Sequence, residues 1–547
     1  MNNIIGEVKF RKFGLITIGL AFLLLLIGGA FGVLQALNRA GLSEFFFGLD
    51  YYQILTLHGV LLIVSFTLLF MNGYLYSATD YALGGLPKLT RTLAWTGLVS
   101  FLIAAVFIVG TILMGEASVM YTFYAPLAAS PWFYVGLVFL AFTIFLSAAG
   151  IFYAAYDWKK RNKGKHLPLY AFFAVGAYML ISLGTIGVTA KVLLQVPWAF
   201  GWTDGVNVLL DRTLLWWFGH TLVNVWYLVA ISAWYMVLPK VIGTKIFSDS
   251  LARIVVILIV VLNVPGGFHH QIVDPGFTET LKFGHAVMSL AIAVPSLFTA
   301  FAMFATLERA GRRRGGKGLL GWLVKLPWKD PKFLTIMIAM IGFIFGGAGG
   351  IAQTNNQLNQ VVHNTFWVVG HFHVTVGIAV VLTFFGVAWW LVPHLARREF
   401  TPFMHKFALW QTWAWVIGMF LMSASMSIVG LFGTPRRSQH STYGDHAHAL
   451  EWNELLLIVG AGGLVLMVAG LMIVGGIYYL MFFAPKGHTP FYMQTLQDRD
   501  AYKTPLWTEN WAMWFALAIV MIVMAYGYPI VDMVINAPPG SPTWRTW

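Results

Sequence analysis

The chain contains no cysteine at all. That excludes disulfides, thiolate nucleophiles, iron–sulfur clusters and any cysteine-ligated zinc or copper. Charge is scarce as well: Asp, Glu, Lys and Arg make up 10% of the 547 residues, against roughly a quarter in a soluble domain. A water-soluble multidomain enzyme and a disordered chain are both excluded. Acids are the scarcer sign, 21 against 34 Lys and Arg. The net charge of +13 therefore reflects missing acids and not a basic face for nucleic acid. What is abundant is apolar residues, at 59%, which leaves a polytopic membrane protein.

Apolar runs of membrane-spanning length fall near 13–36, 53–77, 92–115, 131–157, 169–197, 212–238, 251–268, 281–306, 332–351, 364–393, 405–432, 452–483 and 508–535. The pattern predicts an all-α bundle of about thirteen transmembrane helices, one membrane domain over 1–547. None shows the short alternation of an outer-membrane barrel. The first run is too long for a cleavable signal, and no small-residue cleavage site follows it. With Lys9, Arg11 and Lys12 inside, alternate loops collect most of the 34 basic residues, notably Lys159–Lys160–Arg161 and Arg312–Arg313–Arg314. The cell membrane, with the N-terminus inside and the C-terminus outside, is the expected setting. The basic loops read as topology signals and contacts to lipid headgroups.

Fifteen histidines are present, and their placement is informative. His58, His220, His269, His270, His371 and His373 fall within or at the ends of four spans, all in the same outer half of the bilayer. Ligating side chains at such depth are costly and usually functional. His371 and His373 are two apart on a helix, so they point about 200° apart and suit two different partners. His269–His270 follow Pro265–Gly266–Gly267 where a helix ends. Joined by His220 they would form a three-imidazole site for copper, iron or zinc. A hydrogen-bonded interhelical role would explain any one of the six, but not the set. His285 and His363 could each support a carboxylate or a water chain. His440, His446 and His448 fall in an outer loop, and His166, His394, His405 and His488 on the cytoplasmic side show no evident role.

YYQILTLHGVL around His58, WWFGHTLVNVW around His220, GFHHQIVDPG, VVHNTFWVVGHFHV and TPRR resemble, in order and spacing, subunit I of the haem-copper oxidase superfamily. The likeness is greatest to its B-type oxygen reductases and runs over nearly the whole chain. It implies His58 and His373 as axial ligands of a low-spin haem b, and His371 as the proximal ligand of a high-spin haem. It further implies His220, His269 and His270 around a non-haem metal, copper ahead of iron, and Arg436 and Arg437 on haem propionates. A partner subunit carrying copper or haem would relay electrons from a soluble cytochrome, a small copper protein or quinol. Trp544, Trp547 and the arginine pair are candidate contacts for it. Membrane lipid is the remaining partner.

One position departs from that family. Its oxygen reductases of this type carry a tyrosine four residues after the first metal-ligating histidine, where this chain has Asn224. Residues i and i+4 share a helix face, and no tyrosine in 251–268 replaces it. Splitting O2 in one event takes four electrons, one of them from that tyrosine. Reducing two NO to N2O takes two electrons and two protons. The sequence reading is therefore a respiratory nitric oxide reductase with Asn224 in the catalytic set, and a terminal oxygen reductase as the alternative. A proton-relaying transporter without haem is the rival from another class. A polar path through Ser296, Thr299 and Tyr235 is interrupted where Ile231 replaces a tyrosine, and Asn359 stands where relatives have an acid.

Overall fold

The computed structural model describes residues 7–440, 442–490, 504–536 and 538–547. Among them, 12 helices are long and apolar enough to cross a membrane, and one bent pair brings the total to 13. They are α1 (Arg11–Arg39), α2 (Tyr51–Leu83), α3 (Lys88–Leu113), α4 (Pro131–Arg161), α5 (Leu169–Ala199), α6 (Val208–Val241), α7 (Asp249–Leu262, continued by Val264–Gln271), α8 (Glu279–Arg313), α9 (Pro331–Thr354), α10 (Phe366–Ala396), α11 (Pro402–Leu431), α12 (Ala447–Phe482) and α13 (Trp511–Ile535). The all-α architecture is the one that the apolar runs predict. A helix satisfies its own backbone, which is what a lipid-spanning segment requires.

Polar side chains mark where the helices start. The Asp50 carboxylate accepts from Gln53 N–H at 2.8 Å while the Gln53 side chain accepts from Asp50 N–H, also at 2.8 Å, closing a reciprocal cap before α2. Asn207, Ser248, Thr278 and Thr401 likewise cap α6, α7, α8 and α11.

Burial separates an inner from an outer set of helices. In their most apolar stretches 94% of residues are buried in α6 and 83% in α10, but 28% in α8 and α13. The most buried span, α6, is also the least hydropathic of them, because it faces protein and not lipid. The histidine-bearing α2, α6 and α10 are among the most buried. Local geometry departs from the α-helix next to histidines. α7 bends by 53°, α2 turns π-helical over Val60–Phe66 directly after His58 and Gly59, and α10 does so over His373–Val380. Such π segments recur at functional sites.

At the opposite end of α7 lies a cluster of charged side chains around Glu509. Lys159, in one of the basic loops, donates from its Nζ to Glu509 at 2.7 Å. Arg253 Nη1 also donates to Glu509 at 2.7 Å, its Nε donates to Asp249 at 2.8 Å, and Leu167 N–H reaches Glu509 at 2.7 Å. His166, for which the sequence offers no role, lies 3.3 Å from the same carboxylate. One buried acid thus joins α4, α5, α7 and the approach to α13. A second pair, Lys191 and Asp211 at 2.5 Å and fully buried, links α5 to α6.

Candidate active site

The six histidines surround one cavity of about 990 Å³, which all of them line. Three of the six rings, those of His58, His269 and His373, have Nδ1 already committed to a backbone carbonyl.

His58 Nδ1 lies 2.8 Å from the Gly28 carbonyl of α1, and His373 Nδ1 2.8 Å from the Val369 carbonyl one turn earlier. A carbonyl only accepts, so each Nδ1 carries the proton and each Nε2 keeps a lone pair for a metal. The two rings are nearly parallel, 13° apart, with centroids 6.4 Å apart. That spacing leaves room for a metal taking one nitrogen from each side at about 2 Å. Gly32 makes the cradle: a Cβ there would lie 2.5 Å from His58 Cε1.

His371 points away from that pair. It stacks near Trp367, 5.7 Å between centroids and 12° between planes. Its Nδ1 is buried and without a hydrogen-bond partner among the described residues. A Cβ on Gly349 would overlap that nitrogen. The two rings thus diverge, as the two-residue spacing leads one to expect, His373 facing His58 of α2 and His371 facing Gly349 of α9.

His220, His269 and His270 each offer a nitrogen within 4.8 Å of the others, the arrangement of a three-imidazole metal site. Their ring centroids are 4.6, 5.7 and 4.3 Å apart. The bend at Pro265 turns both members of the pair inward, as the Pro265–Gly266–Gly267 run implies. His269 Nδ1 is held by Gly266 O at 2.8 Å and Ser289 Oγ at 2.9 Å. His270 lies flat on Trp216, 3.9 Å and 5° apart, with its Nε2 buried and unpaired among the described residues. Asn224 does share the face of His220, its Nδ2 lying 3.3 Å from His220 Nε2 and donating to the His220 carbonyl at 2.9 Å.

Arg436 and Arg437 reach the cavity edge from the loop after α11. Arg436 Nη2 donates to Asn364 Oδ1 at 2.8 Å, and Arg437 Nη2 to the Tyr121 hydroxyl at 3.2 Å. Burial, followed by the neighbouring Arg437 charge, pulls the Arg436 guanidinium down to about 10, so it stays cationic at neutral pH. Sequence reasoning missed Arg39, which organises this loop by donating to the carbonyls of Ser438 at 2.7 Å and Pro435 at 3.0 Å. The arginine pair lines the cavity, which fits carboxylate binding better than contact with an electron donor. Trp544 and Trp547 are exposed, as a contact surface requires.

The two secondary histidines part ways. His285 is buried, its Nε2 3.2 Å from the Ala525 carbonyl, a helix-to-helix contact with α13. His363 joins a polar chain: its Nε2 is 3.3 Å from Asp274, its Nδ1 3.2 Å from Asn359, and Asn359 Nδ2 donates to the His269 carbonyl at 3.3 Å. Asp274, which pairs with Arg212 at 2.6 Å, supplies an acid to this chain, with His363 between it and Asn359. His440, His446 and His448 are exposed.

A membrane-buried bundle that gathers imidazoles around one cavity, with a cationic rim and glycine-cradled rings, defines a class of cofactor-holding redox subunits. The model of the family described as "Cytochrome C and Quinol oxidase polypeptide I" matches residues 12–465. Cytochrome c oxidase subunit 1 of Thermus thermophilus is 36% identical over 98% of this chain and 97% of its own length. Quinol oxidase subunit 1 of Sulfolobus acidocaldarius is 25% identical over 55% of this chain and 56% of its own. A cryo-EM structure of a heme-copper terminal oxidase dimer superposes with a TM-score of 0.91 at 30% identity, covering 98% of this chain and 95% of that one. The chain belongs to the haem-copper oxidase subunit I family, and is an oxidoreductase of that class.

Proposed function

We propose that this chain is the catalytic subunit of a terminal respiratory reductase, with O2 as its leading substrate: O2 + 4 e⁻ + 4 H⁺ → 2 H2O. The relatives favour O2 over the NO that the sequence reading put first, because a relative aligned over 98% of the chain is a cytochrome c oxidase subunit. The observation that carries the reductase reading is the convergence of His220, His269 and His270 beside the His371 ring in one cavity. The residues fit the groups that the family implies: buried ring nitrogens of His220, His270 and His371 have no hydrogen-bond partner among the described residues, and glycines stand where a side chain would meet His58 and His371. His58 and His373 would hold a low-spin haem, His371 a high-spin haem, the three clustered histidines a metal, and Arg436 with Arg437 the haem carboxylates. When bound, these groups supply the electrons and the open coordination position.

The chain's own residues do the rest. Gly266 and Ser289 fix the tautomer of His269, so its Nε2 stays available. Apolar walls admit a small neutral gas and keep water few, which strengthens every polar contact inside. A subunit II-like partner, bearing copper or haem, would deliver electrons at the exposed Trp544 and Trp547 face; the donor would be a soluble cytochrome, a small copper protein or quinol.

NO reduction, 2 NO + 2 e⁻ + 2 H⁺ → N2O + H2O, is the second reading, and Asn224 favours it. A carboxamide stands beside His220 where the oxygen reductases carry an oxidisable phenol. Parallel O2 and NO electrodes, with one artificial reductant and the purified haem-loaded complex, separate the two. Sustained O2 uptake with trace NO loss supports O2. Fast NO loss with N2O formed and little O2 uptake overturns it in favour of NO.

A further inference from the structure

The resemblance to the B-type enzymes implies a polar path toward the cavity that here stops at Ile231, which is fully buried and cannot carry a proton. The structure shows a phenol on the cavity side of that block. Tyr227, Ile231 and Tyr235 lie four residues apart along one stripe of α6. Tyr227 lines the cavity with Ser296 of α8 and with Asn224, one turn nearer His220 on the same helix. Its ring is fixed by flat stacking on Phe343 of α9, 4.0 Å between centroids and 5° between planes. Its hydroxyl sits beside Ser296 and Thr299, and the Tyr235 hydroxyl sits beside Thr299 from the other side.

The donor pattern leaves these groups open to one another. Ser296 Oγ donates to the Ile292 carbonyl at 3.2 Å and Thr299 Oγ1 to the Pro295 carbonyl at 2.9 Å, each one turn back on α8. Both oxygens therefore keep lone pairs that can accept. Tyr227 and Tyr235 have buried hydroxyls that satisfy no strict hydrogen-bond geometry. A buried hydroxyl without a well-formed bond is costly, and a water or a small rotation of the α8 hydroxyls relieves both at once. The result is a run of hydroxyls from Tyr235 through Thr299 to Tyr227 and the cavity, passing beside Ile231 on the α8 side.

We infer that Tyr227 is the last proton-relaying side chain before the cavity: its phenol gives its proton to an acceptor inside and regains one from the Thr299–Tyr235 side. The step moves protons only and changes no oxidation state. The inference rests on the cavity being the reduction site, and it holds for either gas, since both reactions consume protons.

The test follows proton uptake and not turnover. The haem-loaded complex is reduced rapidly in the presence of a pH-indicator dye, and proton uptake is timed in H2O and D2O. Tyr227→Phe keeps the ring on Phe343 and removes only the hydroxyl. The expected result is uptake slowed about tenfold or more, with a larger solvent isotope effect and haem spectra unchanged. Thr299→Ala, on a different helix, should slow the same phase. Uptake within about twofold of the parent in Tyr227→Phe, while Thr299→Ala slows it, overturns the inference. If Tyr227→Phe fails to retain haem, Thr299→Ala decides alone: slowed uptake supports the path, and unchanged uptake overturns it. Normal proton uptake with turnover of neither gas would instead sink the proposed function and leave Tyr227 standing.

Discussion

Single glycines decide whether the histidines can present their nitrogens. A Cβ on Gly32 would meet His58 Cε1 at 2.5 Å, and one on Gly349 would overlap His371 Nδ1. Interiors are packed too tightly to absorb such overlaps without moving the ring. Gly32→Ala should therefore lose the low-spin haem signal selectively, while Gly349→Ala should weaken CO binding at the second haem and spare the first. Reduced-minus-oxidised spectra with and without CO read both; equal losses in the two variants would contradict the assignment of His58 and His371 to different haems. The histidines were legible in the sequence because an ionisable residue stands out in an apolar run. The glycines were not, because a glycine in a membrane helix has many packing uses. Tyr227 escaped too: its value depends on which hydroxyls of α8 face it, and a helix crossing sets that.

At the scale of the element, the bent α7 carries the most consequence. Pro265 cannot continue the hydrogen-bond ladder, and the Gly266 N–H turns back to the Asn263 carbonyl at 3.1 Å. Gly267 then lets α13 and α6 close on the bend: a Cβ there would overlap the Tyr526 hydroxyl and lie 2.9 Å from the Trp216 carbonyl oxygen. Tyr526 in turn donates to the Val264 carbonyl at 3.2 Å. Gly267→Ala should displace His269 and His270 together, so metal analysis should show the non-haem metal lost while both haem spectra persist. Retained metal with haem lost would mean that the bend serves the haem pocket instead. Pro265–Gly266–Gly267 marks the end of a helix in the sequence, where the structure has a bend continued by Val264–Gln271, and hydropathy alone marks the spans, 12 straight ones and the bent pair among the described residues. The π-helical stretches beside His58 and His373 were not readable, because the extra residue in each turn is fixed by packing against α1 and α9, which leaves no mark on local sequence.

Across the whole molecule, one stabilising ion cluster stands at the end of α7 away from the chemistry. α7 begins at Asp249 in the Glu509 cluster and ends at the histidine pair, and its Asp249–Leu262 segment alone spans about 20 Å. Glu509 is 5% exposed, and Arg253, fully buried, divides its guanidinium between Glu509 and Asp249. Removing one partner of a buried ion pair leaves an uncompensated charge in a low-dielectric setting, at a cost of about 3 kcal/mol. The same carboxylate joins segments far apart in sequence, so its loss frees α13 from α4 and α5 as well. Glu509→Ala should lower the temperature at which the detergent-solubilised complex loses its haem absorbance. At temperatures where it stays folded, haem spectra, metal content and substrate turnover should remain those of the parent, because the cluster lies about one membrane leaflet or more from the cavity. A thermal scan beside metal analysis reads both properties. Altered haem spectra in the folded variant would mean that the two ends are coupled through α7, and that the acid shapes the metal pocket as well as holding the helices together.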